Sequence, residues 1–388
     1  MTGAGISGAH TARMSLPTRV IQAVRPQASP GVMAGAAVVA ATFAATPFLL
    51  PDVSERMSID IGTTGLLSTA QVGSFALASF FAGRLFRPRR RLHYGALGIV
   101  AVATSASAFT MVFPLLLATR VLAGLGLGTI TWIAWADATR FPRGLGDVAA
   151  VAPVTAAVAS PIFGRITEIG GYPWVYGSLA MAAVLATLLS VDFGDLPRIG
   201  RRVSGSHSNR VLLAALLVLS VGGSAVFIFS GAAAQSVHGL SPVTVSWALS
   251  LNAITGVVAT RRRARTGWAW LWLIGTALAA LLVGTVPSPV MFFGAMALWG
   301  FAFWMAVPAV LRLLAERSLN PSERMGDAQA AMAAGRVVGP ILGGLALAAG
   351  QFTRLSVVGA SIIAAAAIVV AVVEMHRVRH PAPDGRTP

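Results

Sequence analysis

The stretch TGLLSTAQVGSFALASFFAGRLFRPRRR, residues 64–91, joins a 23-residue apolar segment to a cluster of four arginines. An apolar helix of about 20 residues crosses the roughly 30 Å hydrocarbon core of a bilayer. Lipid cannot satisfy unpaired backbone groups, and the sequence lacks the alternating pattern of a membrane barrel. The stretch therefore predicts a transmembrane helix that ends at a basic membrane face.

Eleven more apolar segments of similar length fill most of the chain, which has 388 residues, 56% of them hydrophobic and only 11% charged. We predict an all-α polytopic membrane protein with twelve transmembrane helices. Spans 1 to 12 are predicted at 32–51, 64–86, 94–112, 114–137, 148–167, 173–191, 211–231, 243–260, 268–286, 289–314, 328–349 and 355–375. Pro51 is expected to end span 1, and Pro114, Pro242 and Pro289 are expected to open spans 4, 8 and 10.

The 29 basic residues are all arginines, and the net charge is +16. With both termini on one side, only Arg56 and Arg354 fall in loops on the other side, while Arg120, Arg165 and Arg336 fall within or at the edges of spans. The remaining 24 gather at one face, which the positive-inside rule assigns to the cytoplasm. We therefore expect a plasma-membrane protein with cytoplasmic termini and no nucleic-acid partner. Cysteine is absent, which excludes disulfides and thiolate metal sites.

Parts of the chain recur at a nearly constant offset. RPRRR after span 2 (87–91) is matched by RRRAR after span 8 (261–265), an offset of 174, and the Gly-Asp pair that opens span 5 recurs in span 11 at an offset of 180. In addition, Ala123-Gly124-Leu125 in span 4 is matched to Trp299-Gly300-Phe301 in span 10.

These repeats predict two pseudo-symmetric six-helix bundles, at 31–191 and 211–375. A cytoplasmic linker at 192–210 would join them, with cytoplasmic tails at 1–30 and 376–388. Two such halves suggest a secondary transporter whose substrate site lies near the membrane midplane between them.

Twelve spans, two repeats, a basic linker and arginine clusters after spans 2 and 8 resemble the major facilitator superfamily over nearly the whole chain beyond residue 30. The family's loop between its second and third helices reads roughly G-x-L-A-D-R-x-G-R-R. Gly83, Leu85 and the arginines ending at Arg91 fit this pattern, whereas Arg87 occupies the acidic position and the second glycine is missing. In the family that acid clamps neighbouring helix ends in one access state, a contact that Arg87 cannot supply.

Span 4 carries Arg120-x-x-x-Gly124-x-Gly126-x-Gly128, which is similar to the family's R-x-x-x-G-x-G signature. Three glycines on alternate residues let a neighbouring helix approach closely. A charge about two turns into a membrane helix needs partners. Arg120 therefore either bonds carbonyls of an adjacent helix, or acts on a substrate anion or in a proton relay.

Two proline elements resemble the G-P-x-x-G element associated with exporters in the family. Span 11 carries the complete form, with Gly339, Pro340 and Gly343, whereas span 5 has Ser160 in place of the first glycine, ahead of Pro161 and Gly164. Proline removes a helix hydrogen bond and glycine permits close contact, so both elements are expected to bend and pack helices. They also favour export modestly over import.

Arg336 lies midway along span 11 without an acid within a turn in sequence. It is a candidate for substrate or coupling chemistry, and bonding to carbonyls near the Gly-Pro element is the alternative. No acid lies in the middle of a predicted span. Asp137 at the end of span 4 is the best candidate for a proton-linked acid, with a loop-facing salt bridge as the alternative. Two arginines facing the cavity would favour an anionic substrate.

The resemblance places spans 1, 4, 7 and 10 around the transport cavity. Trp132, Trp135 and Trp304 are therefore candidates for substrate contact, although aromatic residues in membrane helices usually face lipid or pack against neighbours. Gln71 in span 2 and Asn252 in span 8 are polar and deep, and each is either a substrate contact or part of an interhelical hydrogen bond.

The sequence thus predicts a transporter that moves a small organic solute by alternating access and is driven by protons. Export of a drug-like or anionic compound by antiport is the leading interpretation, with proton-coupled import of a metabolite, or a transporter-like sensor, as alternatives. A membrane enzyme would need clustered His, Asp or Glu, and ATP hydrolysis would need a phosphate-binding loop. Neither is present in the sequence. We expect a monomer without cofactor or metal, whose partners are the solute, protons and the lipid bilayer.

Overall fold

The structure is a computed structural model. It describes residues 29–138, 140–141, 144–193, 207–260, 262, 268–317, 321–347 and 351–379. Most of both predicted tails, residues 194–206 of the predicted linker, and most of the arginine cluster at 261–265 lie outside these ranges.

The described residues form thirteen α-helices and no strand. They are α1 (Pro30–Met57), α2 (Ile61–Leu85), α3 (Arg90–Phe109), α4 (Phe113–Ala138), α5 (Gly144–Gly170), α6 (Tyr172–Thr187), α7 (His207–Phe227), α8 (Ser230–His238), α9 (Pro242–Thr260), α10 (Ala269–Thr285), α11 (Pro289–Glu316), α12 (Pro321–Leu347) and α13 (Phe352–Arg379). Ten of them are long and apolar enough to cross a membrane, and α6, α8 and α10 are shorter. This all-helical architecture is the one that the apolar segments predict.

Three prolines mark helix starts as expected. Pro242 is the first residue of α9, Pro289 is the first residue of α11, and Pro114 is the second residue of α4. Proline fits the first turn because its missing amide hydrogen would have no partner within the helix there.

Pro51 does not end the first helix, so that prediction was wrong. α1 runs through Pro51 to Met57. The residues beyond Pro51 are held by Asp52, whose carboxylate accepts a hydrogen bond from the amide of Tyr172 at 2.6 Å and pairs with Arg56 at 3.0 Å. These contacts tie the end of α1 to the start of α6.

The predicted single helix of span 7 was also wrong. α7 ends at Phe227, and α8 starts at Ser230 after a break at Ile228 and Phe229. Gly231 of α8 lies so close to the Pro47 carbonyl of α1 that a β carbon there would overlap it. The break therefore redirects the chain so that α8 packs against α1.

The helices form two groups with the same neighbours. In the first half, α1–α6, helix α1 packs on α5 and α6, and α3 packs on α4 and α6. In the second half, α7–α13, helix α7 packs on α12 and α13, and α10 packs on α11 and α13. The pair α2 and α4 likewise corresponds to α9 and α11.

Individual side-chain contacts repeat between the halves. Trp132 of α4 packs where Gly83 of α2 leaves space, and Trp304 of α11 packs in the same way against Gly256 of α9. The residues of the two pairs are 172 or 173 positions apart, whereas the first residues of α2 and α9 are 181 positions apart. The two contacts are therefore alike in kind but do not occupy equivalent positions of the internal repeat.

The sequence match of Gly124 with Gly300 is also present in the packing. Gly124 packs against the Gln71 carbonyl of α2, and Gly300 packs against the Asn252 carbonyl of α9, with no room for a β carbon at either site. The two glycines are 176 positions apart, as are the first residues of α4 and α11. The two carbonyls are 181 positions apart, as are the first residues of α2 and α9.

The two halves meet along two seams, α2 on α12 and α5 on α9. The hydroxyl of Thr69 in α2 donates to the Val337 carbonyl of α12 at 3.2 Å. The hydroxyl of Ser250 in α9 donates to the Ala157 carbonyl of α5 at 2.5 Å. The two donor residues are 181 positions apart in the sequence, and the two acceptor residues are 180 positions apart. The two seams are therefore equivalent under the internal repeat.

The seam contacts extend to one side of the molecule. We call the side where α1 begins and α13 ends the terminal face, and the opposite side the distal face. Gly62 at the start of α2 meets Gly344 near the end of α12, and Gly164 near the end of α5 meets Pro242 at the start of α9. Both pairs lie at the distal face.

Phe229, at the break between α7 and α8, fills the space between these elements. It is fully buried, and it lies against Gly65 of α2 and Gly343 of α12. The space between the halves is therefore closed toward the distal face.

Gly128→Ala is expected to destabilise the protein, because the new β carbon would overlap the Phe75 carbonyl. Overpacking of this kind costs about 1–3 kcal/mol, so the thermal unfolding midpoint in detergent should fall. Gly98→Ala is the matched control, since nothing lies within 4 Å of its β-carbon position. Equal midpoints for the two variants would contradict the close approach of α2 and α4.

Candidate functional site

Arg120 of α4 lies inside the first half, with 2% of its surface exposed. Its guanidinium donates to the Gln71 side chain of α2 at 3.3 Å, to the Ala103 carbonyl of α3 at 3.3 Å, and to the Ser107 hydroxyl of α3. The Tyr176 ring of α6 lies 4.2 Å from the guanidinium carbon, within cation–π range. Arg120 therefore connects four helices.

The environment of Arg120 leaves little room for a solute. Among the described residues, no carboxylate forms an ion pair with it, so neutral dipoles and an aromatic ring stabilise its charge. Gln71 is 5% exposed, and its amide oxygen is occupied by Arg120. In this structure both residues make interhelical contacts within one half.

Arg336 of α12 is in the opposite situation. Its side chain is exposed, and it has no hydrogen-bond or ion-pair partner among the residues that the structure describes. The contacts of α12 with its neighbouring helices determine which space the Arg336 side chain faces.

The surface of α12 is divided among three environments. Gly339 and Gly343 pack on α7, while Val337 and Gly344 pack on α2. Four exposed apolar residues form a third side, which is typical of contact with lipid: Val338, Ile341, Leu342 and Leu345.

Arg336 lies opposite the lipid-facing side. With 3.6 residues per turn, it is about two and a half turns from Leu345, and so points in the reverse direction, between the α7 and α2 contacts. That direction is the space between the halves. Gln329, two turns toward the terminal face, is on the same side and exposed, whereas Pro340 and Gly343 toward the distal face are buried. Arg336 therefore lines a space that is closed distally and accessible from the terminal face.

Asp137 is fully buried at the terminal-face end of α4. Its Oδ1 accepts a hydrogen bond from Arg140 at 2.8 Å, and its Oδ2 has no partner among the described residues. Arg140 also donates to the Asp192 carbonyl at 3.2 Å, and the Asp192 carboxylate pairs with Arg90 at 3.3 Å. The structure thus contains a salt bridge between Asp137 and Arg140, which was the alternative to a role in proton coupling. This salt bridge uses only one of the two carboxylate oxygens of Asp137.

The other polar and aromatic candidates are distributed over both halves. Asn252 of α9 donates to the Met296 carbonyl of α11 at 2.9 Å, which is an interhelical hydrogen bond. Trp132 and Trp304 are half-buried in the two glycine contacts described above. Trp135 is 40% exposed at the terminal-face end of α4.

The glycines of the α4 motif contact two helices. Gly124 and Gly128 lie against α2, and Gly126 lies against the Ala96 carbonyl of α3. Arg91 is exposed in the first turn of α3.

The proline elements lie within continuous helices. Pro161 is inside α5, and Gly164, one turn later, packs on Ser246 of α9. Pro340 is inside α12, and Gly339 beside it packs on Ser224 of α7. Both elements therefore lie where helices cross.

Sequence reasoning missed Tyr176 and the seam hydroxyls of Thr69 and Ser250. The seam hydroxyls could have been found from the internal repeat, because α2 and α9 each carry a hydroxyl residue and the two are 181 positions apart. Nothing in the sequence connects Tyr176 with Arg120, because their pairing depends on how α6 is rotated against α4.

Comparison with known proteins places this arrangement in a family. The family model described as Major Facilitator Superfamily matches residues 32–343. No curated protein sequence matches the chain. Three solved structures have the same fold over nearly their whole length, at sequence identities too low to indicate more than the fold.

The first is a bacterial homolog of the human lysosomal transporter Spinster, inward-facing and unoccupied, with TM-score 0.66, 15% identity, and coverage of 95% of this chain and 100% of that chain. The second is the human organic anion transporter MFSD10 (TETRAN), with TM-score 0.63, 16% identity, and coverage of 92% and 100%. The third is the POT family transporter PepTSo, with TM-score 0.70, 12% identity, and coverage of 90% and 98%.

Arg120→Ala is expected to lower the thermal unfolding midpoint far more than Arg336→Ala. Loss of Arg120 leaves buried polar partners without a donor and opens a cavity, at a cost of about 3 kcal/mol. Arg336 has no such partner to lose. Thermal unfolding of the two purified variants in detergent tests this, and similar midpoints would refute the distinction between the two arginines.

Proposed function

Because the chain belongs to the major facilitator superfamily, we propose that it is a secondary transporter that moves a small organic anion by alternating access. The family and the transporter structures that share the fold indicate a multi-pass membrane transporter rather than an enzyme. The proposal on substrate and mechanism rests mainly on one observation, the unpartnered Arg336 that faces the space between the halves.

Arg336 supports an anionic substrate on energetic grounds. An ionised group away from bulk water is costly unless an opposite charge or hydrogen-bond acceptors compensate it. Arg120 obtains this compensation from the protein, whereas Arg336 does not. A carboxylate or phosphate on the solute would supply it, and the planar guanidinium can bind such a group through two parallel hydrogen bonds.

We infer twelve membrane spans in two six-helix bundles, with α7 and α8 together forming one span. The shorter helices α6 and α10 have 16 and 17 residues, so they are about 24–26 Å long at 1.5 Å per residue, close to the hydrocarbon thickness. An even number of spans puts both termini on one side. The arginine distribution assigns that side, the terminal face, to the cytoplasm of a plasma-membrane protein.

This topology supports export. With a cytoplasmic terminal face, the space that Arg336 lines is accessible from the cytoplasm, and the seams at Thr69 and Ser250 close the opposite side. Export then requires these seams to open as the terminal face closes. The two seams are equivalent under the internal repeat, which suits a rocking motion of one half against the other.

Protons are the proposed coupling ion, and Asp137 is the proposed coupling acid. Its burial and its unpartnered Oδ2 leave one carboxylate oxygen on which a proton can reside. Its position at the cytoplasmic end of α4 would allow exchange with the cytoplasm when the space between the halves is open there.

Organic anions are expected to raise the thermal unfolding midpoint of the purified wild-type protein, in a screen against a panel of organic anions, sugars and lipophilic cations. Arg336→Gln should weaken the apparent affinity for the stabilising anion about tenfold to a hundredfold, since charge-assisted hydrogen bonds are lost. Arg336→Lys should keep part of the effect. Arg165→Gln, an exposed arginine of α5, is the control. Stabilisation by cations alone would overturn the substrate assignment.

Asp137→Asn is expected to abolish flux driven by a pH gradient in proteoliposomes while leaving exchange of labelled for unlabelled substrate intact. The amide cannot carry the proton, but it does not block alternating access. Asp192→Asn is the control, because its carboxylate is 83% exposed at the same face. Undiminished proton-driven flux in Asp137→Asn would exclude Asp137 as the coupling acid.

A further inference from the structure

A cleft of about 870 Å³ lies at the distal face, where the two halves adjoin. One wall is formed by the end of α1 and the start of α2, including Glu55 and Ile61. The other is formed by α8 and the start of α13, including Gln235, Arg354 and Val358. The cleft is separate from the space that Arg336 lines, since Phe229 and the seams close that space distally.

Two opposite charges line this cleft without being paired. Glu55 belongs to the first half and Arg354 to the second, and both side chains are exposed. Neither makes a side-chain hydrogen bond or ion pair with the other residues that the structure describes. The two charged groups border the same cleft from different halves and are not bonded to each other. They therefore complement a zwitterionic molecule, which carries one positive and one negative charge.

The cleft is also continuous with the lipid-facing side of α13. Val357 and Val358 line it and are 45% and 38% exposed. From there an exposed apolar stripe follows α13 toward the terminal face through Ile368, Val372 and Met375. A ligand with polar groups in the cleft can therefore extend a hydrocarbon chain along this stripe within the bilayer.

We propose that the distal cleft binds a zwitterionic membrane phospholipid. Arg354 binds the phosphate, Glu55 binds the amine of the headgroup, and one acyl chain lies along the stripe on α13. Because the two walls belong to halves that separate when the distal seams open, the bound lipid stabilises the distally closed arrangement. This site and its residues are distinct from those of the proposed substrate.

Native mass spectrometry of the purified protein tests the proposal with two lipids of identical acyl chains, one with a phosphoethanolamine headgroup and one with an anionic phosphoglycerol headgroup. The wild type should retain one phosphoethanolamine lipid more tightly than the phosphoglycerol lipid. Glu55→Gln and Arg354→Gln should each weaken that retention about tenfold, in line with loss of one charge-assisted hydrogen bond. Arg165→Gln, a distal-face arginine outside the cleft, should retain the lipid as the wild type does.

Several outcomes would overturn the proposal. These are unchanged retention in both cleft variants, equal retention of the two lipids, or equal binding of free phosphoethanolamine, which would indicate a soluble ligand. A thermal unfolding scan of each variant shows that it is folded. The measurement needs no transport substrate, so its failure would leave the anion-transport proposal intact, and failure of anion transport would leave the lipid result intact.

Discussion

Direct contact between helix backbones is the constraint on which this structure depends. In lipid, apolar side chains gain little by leaving the bilayer, so helices associate through close packing and interhelical hydrogen bonds. Gly128 and Gly300 allow such contact within the two halves, and Gly62 with Gly344 allows it between them. The seam hydrogen bond from Thr69 to a main-chain carbonyl requires the same proximity, since a short side chain cannot span a wider gap.

Arg120 and Arg336 have different surroundings because their side chains point in different directions from their helices. Arg120 points into its own half, where an amide, a carbonyl, a hydroxyl and an aromatic ring stabilise it. Arg336 points between the halves, where the described part of the chain offers it no partner. A charge satisfied by the protein fixes helix positions, and a charge left unsatisfied in an accessible space is available to a solute. The first role belongs to the fold and the second to the proposed transport.

The internal repeat explains why the space between the halves is closed by two similar contacts. Equivalent hydroxyl–carbonyl bonds close the two seams, one through Thr69 and the other through Ser250. The repeat is broken at the distal face, because the chain breaks at Phe229 between α7 and α8 whereas α1 continues without a break to Met57. Closure thus combines a symmetric element, the seams, with an asymmetric one, the aromatic ring at the helix break.

The sequence by itself determined the all-helical membrane class, the family resemblance and the internal repeat, because apolar length and charge distribution are properties of the chain that need no knowledge of neighbours. It located both intramembrane arginines but left open what each does. The tertiary structure decided in which direction each arginine points, together with the extension of α1 past Pro51 and the break before α8. Each of these depends on helix rotation and crossing, which are set by contacts between segments far apart in the chain, and a linear pattern does not encode the direction in which a side chain points.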